Sequence, residues 1–268
     1  MTDFSLAHLT VLSLAPPQMV DVASRCGYRF VGLRLVAVTT ETPGYPLMND
    51  PAALRETKRR LADTGVGVLD IEFVRLAPGF DARRFEPMLA AGAELGARYV
   101  ISAPYDSDRS ALAGHLAALA DCAAPYGITA LMEFFAWTPV ASLAAAREVV
   151  AAAGRANVGI LVDTLHMDRT GSPLADLDGI PPAWLPMVHA CDAAAGREGS
   201  LDAMLHTARA ERLPPGDGGL DIAGVLRHMP AGIPVALEVP MEALTRSEGA
   251  EAVARRVIAG ARRLLGEG

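Results

Sequence analysis

The sequence predicts an α/β fold, a single (β/α)₈ barrel over residues 1–268, and three observations carry that expectation. Short, nearly continuous apolar runs alternate with alanine- and arginine-rich segments of helical pattern. Glycines close the helical segments just before the next apolar run. The length is the third: eight units in 268 residues allow about 33 residues each, and such a barrel typically takes about 250.

In chain order, the expected strands are residues 5–12, 29–35, 66–73, 99–103, 129–134, 158–163, 187–190 and 234–239. Their lack of alternation suits strands buried on both faces of a parallel sheet. Helical patterning covers 17–25, 51–63, 82–95, 110–123, 141–152 and 243–265, with weaker helical character at 200–212. Gly27, Gly65, Gly96, Gly127 and Gly154 stand where helix C-caps fall. A doubly wound sheet is the main rival, but neither G-x-G-x-x-G nor a Walker-type loop follows the first strand. The longest irregular stretches, 36–50 and 196–219, follow strands two and seven. Both belong at the C-terminal mouth of a barrel, where long loops serve binding.

Composition narrows the function classes. Hydrophobic residues make up 51% of the chain and charged ones 21%, ample for a large core and incompatible with disorder. With 31 acidic and 24 basic residues the net charge is −7, which gives nucleic-acid or anionic-membrane binding no electrostatic help. Three well-separated cysteines, Cys26, Cys122 and Cys191, exclude a disulfide framework and suit a reducing compartment. No secretory signal pattern or long apolar span is evident, so a cytoplasmic location is expected.

The informative residues are polar groups at the ends of apolar strands. Glu133 ends Thr-Ala-Leu-Met-Glu, Asp163 ends Val-Gly-Ile-Leu-Val-Asp, His189 lies in Met-Val-His-Ala-Cys-Asp, and Glu238 lies in Val-Ala-Leu-Glu-Val. A carboxylate buried there alone costs several kcal/mol, so it must be paired, protonated or bound to a cation. Taken singly, each is a cap, an ion-pair partner or a core histidine. On four successive strands, five to eight, they converge on one rim as three carboxylates and an imidazole. That donor set suits one divalent ion per chain, Mn²⁺ foremost, with Mg²⁺, Co²⁺, Fe²⁺ and Zn²⁺ as alternatives.

The stretch Val162-Asp163-Thr164-Leu165-His166-Met167, with Met132-Glu133, Val188-His189, Leu237-Glu238 and Pro215-Gly216-Asp217-Gly218-Gly219-Leu220-Asp221, resembles the xylose-isomerase-like TIM barrels. With Gly27 to Leu35, the resemblance spans essentially the whole chain. It implies that Glu133, Asp163, His189 and Glu238 are metal ligands. It further implies that Glu133 and Glu238 are the catalytic acid/base pair and that His166 contacts substrate. A metal chelating adjacent carbonyl and hydroxyl oxygens acidifies the α C–H and stabilises an ene-diolate, and a flanking carboxylate moves the proton. Return to the same carbon is epimerisation, return to its neighbour is isomerisation, and loss of a β-hydroxyl is dehydration. The expected activity is isomerisation or epimerisation of a small polyhydroxylated carbonyl compound. Dehydration of an inosose or 3-dehydroshikimate is the alternative.

Further residues are candidates for substrate binding. Arg34 and Glu72, near the ends of strands two and three, are either a structural pair or a substrate contact. Trp137, with Phe134 and Phe135, offers an apolar wall for a ring face. Epimerases of this family often carry an arginine about six residues after the strand-seven histidine; here that position is Ala195. The nearest arginine is Arg197, and Arg212 either reaches over the mouth or is a solvated loop residue. Asp192 and Asp217 are expected to bond His189 or to fix the loop, and His8 to be structural. The AP endonuclease branch shares Asp-Thr-x-His, but strands three and four and the strand-seven loop lack its additional histidines. A non-catalytic binding barrel is disfavoured, because only chemistry requires both glutamates. Barrels of this kind commonly dimerise, so a homodimer is expected by analogy.

Overall fold

The computed structural model describes residues 1–39 and 42–267. Eight parallel strands close on themselves: β1 (Phe4–Ala7), β2 (Phe30–Arg34), β3 (Gly67–Leu76), β4 (Tyr99–Pro104), β5 (Thr129–Glu133), β6 (Val158–Asp163), β7 (Val188–Ala190) and β8 (Val235–Leu237). Around them, among the described residues, run α1 (Pro16–Cys26), α2 (Pro51–Thr64), α3 (Glu86–Leu95), α4 (Arg109–Ala123), α5 (Leu143–Ala153), α6 (Thr164–Thr170), α7 (Leu201–Ala210), α8 (Ile222–His228), α9 (Glu242–Glu248) and α10 (Ala250–Leu265).

Strand alternation sorts the apolar residues into two clusters. Val31, Leu33, Met132, Ile160, Val162, Val188 and Leu237 face outward and pack with helix residues such as Met19, Leu116, Val149 and Val257. Their sequence neighbours Phe30, Leu131, Leu161, Met187 and Ala236 fill the barrel interior. The same inward positions become polar at the C-terminal ends of the strands, where Arg34, Glu72, Glu133, Asp163, His189 and Glu238 are all buried.

Seven of the eight strands fall within a few residues of the runs read from sequence. The first is shorter than the expected 5–12, because the chain turns into a 3₁₀ segment at His8–Val11. His8 holds that turn: its Nδ1 accepts the Arg34 N–H at 2.8 Å, and Nε2 bonds Leu14 O at 2.9 Å. Thr10 ties it to the last strand, donating to Leu237 O and accepting from Val239 N, both at 2.8 Å. The expected helix over 243–265 is two helices, α9 and α10, broken at Gly249 with φ +87°. Gly27, Gly65, Gly96 and Gly154 cap helices in the left-handed conformation, and Gly127 caps the 3₁₀ turn after α4. No helix among the described residues is long and apolar enough to cross a membrane.

The strand-seven loop is an excursion closed at its base. Asp192 and Leu213 exchange backbone hydrogen bonds of 2.8 Å each way, so residues between them leave and rejoin at one point. Within it, Ser200 caps α7 through the Ala203 N–H. The Asp192 carboxylate then gathers the following turn, Oδ2 accepting from Gly216 and Gly218 N and Oδ1 from Leu220 N, each at 3.0 Å. Asp192 therefore fixes the loop; Asp217 pairs outward with Arg263 at 2.8 Å.

Candidate active site

Two sets of hydrogen bonds at the start of α6 set the ends of β6 and β7. Asp163 ends β6 and caps α6, its Oδ1 accepting the Leu165 N–H at 2.7 Å, which leaves Oδ2 to face the barrel axis. Thr164 locks β6 to β7, its hydroxyl donating to Cys191 O at 2.7 Å and accepting from Cys191 N at 3.0 Å. Asp163 and His189 are register partners on the two strands. One donor atom from each of Glu133, Asp163, His189 and Glu238 lies within 4.8 Å of every other.

His189 Nδ1 is the hub, 3.7 Å from Glu238 Oε2, 3.9 Å from Glu133 Oε1 and 4.0 Å from Asp163 Oδ2. These separations are too long for hydrogen bonds. They are close to the roughly 3 to 4 Å between ligand atoms that share a metal at about 2.1 Å. Glu133 Oε1 and His189 Nδ1 are buried without any hydrogen-bond partner. Three hard oxygens and one nitrogen turned on one another, two of the four atoms without bonds, fit a divalent cation.

Arg212 supplies one compensating charge, and its burial beside the cavity rules out the solvated-loop alternative. It is 2% exposed, with Nη1 2.7 Å from Asp163 Oδ2 and Nη2 2.9 Å from Glu238 Oε2. Nη1 also donates to Glu238 O at 3.1 Å and Nε to Ala208 O at 2.9 Å. Burial alone would raise Asp163 and Glu238, but Arg212 foremost outweighs it and holds both below the usual carboxylate range. Glu133 has no such partner, and burial drives it well above that range, with His189 opposing and Glu238 and Asp163 reinforcing. Burial would lower the His189 imidazole, but Glu238, Glu133 and Asp163 push it up to about 10. His166 lies 3.8 Å from Glu133, and burial brings it down to about 4.

Above these groups lies a cavity of about 200 Å³. That is below the 300–1,000 Å³ of pockets for drug-sized ligands and suits a molecule the size of a monosaccharide. Phe135 and Trp137 stack with centroids 5.0 Å apart and present their faces to the edge of His166, at 4.5 and 5.2 Å. Trp137 and Phe135 both line the cavity, whereas Phe134 is fully buried in the outer core. Arg34 and Glu72 also line it but are joined to each other at 2.9 Å. Val38, Thr39 and Thr42 from the strand-two loop, and Ala208 to Ala210 from α7, form the mouth. Two residues of the expected 36–50 stretch, Thr40 and Glu41, lie outside the described residues.

Arg197 is not brought to the cavity. It is exposed, and its guanidinium covers Gly171 at the end of α6. Position 195 is an alanine, and the arginine that reaches the four donors is Arg212, delivered where the excursion rejoins the barrel. Asp70, not singled out from sequence, is 2% exposed, with one carboxylate oxygen unpartnered. Burial, opposed by His189 and reinforced by Glu72 and Glu238, lifts it to about 7. An acid in the middle of the apolar run Gly-Val-Leu-Asp-Ile was the available signal.

The model of the family described as xylose isomerase-like TIM barrel matches residues 20–262. An inosose isomerase of Bacillus velezensis is 32% identical over 103 residues, a match that spans 35% of this chain and only 37% of that protein. Among solved structures, the IOLI protein with a binding zinc atom superposes with a TM-score of 0.82 at 19% identity, over 100% of this chain and 99% of that one. The 3-keto-D-glucoside 4-epimerase of E. coli superposes at 0.73 and 18% identity, over 98% and 100%. At these identities the two structures speak for the fold.

Proposed function

The chain belongs to the xylose isomerase-like TIM barrel family, and from that premise we propose a divalent-metal-dependent isomerase or epimerase of a small polyhydroxylated carbonyl compound. The observation that carries this reading is the convergence of four buried donors within 4.8 Å beneath a cavity of sugar size. Glu133, Asp163, His189 and Glu238 would hold the ion, with Mn²⁺ the first choice for reconstitution. When bound, it polarises the substrate carbonyl and acidifies the neighbouring C–H.

The protein side chains do the rest. Glu133 and Glu238, ending strands on either side of the Asp163–His189 pair, are the groups that take and return the α-proton. Arg212 holds Glu238 and Asp163 ionised and in position. His166, edge-on to Phe135 and Trp137, offers a polar contact beside an apolar wall that excludes water from one ring face. The buried cations lining the cavity, Arg34 and Arg212, are each bound to carboxylates. The substrate class proposed is a polyol ketone, of which an inosose is the cyclic case. A cytoplasmic homodimer without a nucleic-acid partner is the context this reading expects.

The test is exchange of substrate α-hydrogen for deuterium, followed by NMR on the Mn²⁺-reconstituted protein with inososes, ketoses and 3-dehydroshikimate. Metal-dependent exchange with return of an isomer or epimer supports the proposal. Loss of water would assign a dehydratase instead. No exchange across the panel, from protein carrying about one metal per chain, would overturn the enzymatic reading.

A further inference from the structure

Beneath the four donors the barrel interior contains a second set of polar atoms that the mechanism above does not use. His189 faces Glu133, Asp163 and Glu238 with Nδ1, and its other ring nitrogen, Nε2, is buried with no partner. If Nδ1 is the ligand atom, Nε2 carries the hydrogen and needs an acceptor. Two other buried atoms inside the barrel are equally unpartnered, Asp70 Oδ2 and Ser5 Oγ.

Strand register brings these three toward one region. Ser5 pairs with Ala236 and Ala236 with His189, so β1, β8 and β7 carry them at one level. The strand between theirs carries Ala236 at that level, whose side chain is a single methyl group. On the other side of β1, Ala7 pairs with Gly32, and Gly32 pairs with Asp70. A Cβ at Gly32 would lie 2.6 Å from both Asp70 carboxylate oxygens, so the carboxylate occupies the space that a side chain there would fill. Small residues at 7, 32 and 236 thus leave room inside the barrel for an acid that has no cation and no direct donor. Nothing in a purely structural account requires a carboxylate at that point, since burying one without partners costs stability.

We propose that Asp70 is a positioning residue for His189, accepting the Nε2 hydrogen through a buried water that Ser5 Oγ also bonds. No direct hydrogen bond joins the three groups, and a polar space with at least three partners is where a buried water settles. The bridge fixes the imidazole's tautomer and ring plane, so that Nδ1 is held toward the three carboxylates. This inference rests on the metal reading of Glu133, Asp163, His189 and Glu238.

The experiment titrates chelator-stripped protein with Co²⁺ alone, reading the visible absorption of the complex and its Kd by competition with a chromophoric chelator. Wild type, Asp70→Ala, Asp70→Asn and Ser5→Ala are compared. Loss of such an outer partner typically weakens metal binding about 10- to 100-fold, and that loss with an altered Co²⁺ spectrum is expected for Asp70→Ala. Asp70→Asn keeps an acceptor oxygen and is expected within about threefold of wild type, a rescue that a merely structural acid would not show. Ser5→Ala removes one oxygen and is expected to weaken binding severalfold; should Asp70→Ala fail to fold, it decides alone. Unchanged Kd and spectrum in the folded Ala variants overturn the role of Asp70 and leave the metal reading standing. A wild type that binds no Co²⁺ overturns both.

Discussion

Two buried charge clusters line the same cavity and follow opposite rules. Arg34 and Glu72, on β2 and β3, close on each other at 2.9 Å, with both side chains about 5% exposed or less. Glu133, Asp163, His189 and Glu238, on β5 to β8, have three carboxyl groups against one guanidinium, Arg212, and one imidazole, and leave Glu133 Oε1 and His189 Nδ1 without bonds. A buried pair of one cation and one anion balances its own charge. A cluster with more acceptors than donors is stable only if something else supplies positive charge. Unsatisfied valence, more than burial or charge itself, separates the side of the barrel proposed to react from the side that frames it.

The largest effects should come from removing acceptors on the unsatisfied side. Glu133→Gln and Glu238→Gln are each expected to lower turnover by about 10²- to 10⁴-fold, the range of a lost acid or base, with the circular dichroism spectrum unchanged. His189→Ala is expected to abolish stoichiometric metal retention after desalting. Near wild-type turnover in either glutamine variant would refute its proton-transfer role and erase the functional half of the contrast.

Next come the cations. Arg212→Ala removes the guanidinium bonded to both buried Asp163 and Glu238, a change expected to cost about 3 to 5 kcal/mol in metal-free protein. Saturating Mn²⁺ should recover much of that loss, because the ion replaces the missing charge. Arg34→Ala should cost a similar amount, but with no recovery from metal. Replacing both members of that pair, Arg34→Met with Glu72→Leu, should be close to neutral in stability. Urea unfolding with and without Mn²⁺ reads all of these, and equal metal rescue at the two arginines would collapse the distinction between the sides.

A smaller, pH-dependent effect belongs to Asp70. Its folded-state pKa of about 7 is raised above the ordinary 3.8. The native state therefore keeps a proton that the unfolded chain has already lost, and stability falls as pH rises from about 4 to 7. Three units correspond to roughly 4 kcal/mol across that window. Metal-free Asp70→Asn lacks this penalty and should gain on wild type as pH rises through the same window. Parallel stability curves for the two proteins would show that Asp70 is ionised and solvated in the native state.

Much of this was legible in the sequence, for a physical reason. Strands buried on both faces carry no polar residues by default, so Glu133, Asp163, His189 and Glu238 each broke an apolar run, and eight such runs located the barrel. The residues that escaped are those whose partners are distant along the chain. Arg212 is brought to Asp163 by the Asp192–Leu213 closure, and no local pattern predicts which arginine of a loop returns to the barrel. α6 was hidden because Asp163 reads as a strand end although its carboxylate also begins a helix. Asp70 stood two residues before Glu72, and only the cross-strand gap at Gly32 distinguishes its surroundings.

The smallest effect tests that last point from the other direction. Arg197 and Arg212 are the arginines that flank α7 across the strand-seven excursion, and sequence proximity to His189 favours Arg197. The fold favours Arg212, because its backbone N–H is anchored to Pro240 O at 2.8 Å as the chain rejoins the barrel, whereas Arg197 is exposed over Gly171. Arg197→Ala removes a solvated guanidinium, so the expected change in stability is within about 0.5 kcal/mol, the usual range for surface substitutions. Metal affinity and turnover should stay within about twofold of wild type. A tenfold loss of substrate affinity with unchanged metal binding would mean that the excursion folds inward over bound substrate and carries Arg197 with it. The contrast between the two sides of the barrel would then have to include a third, mobile contributor.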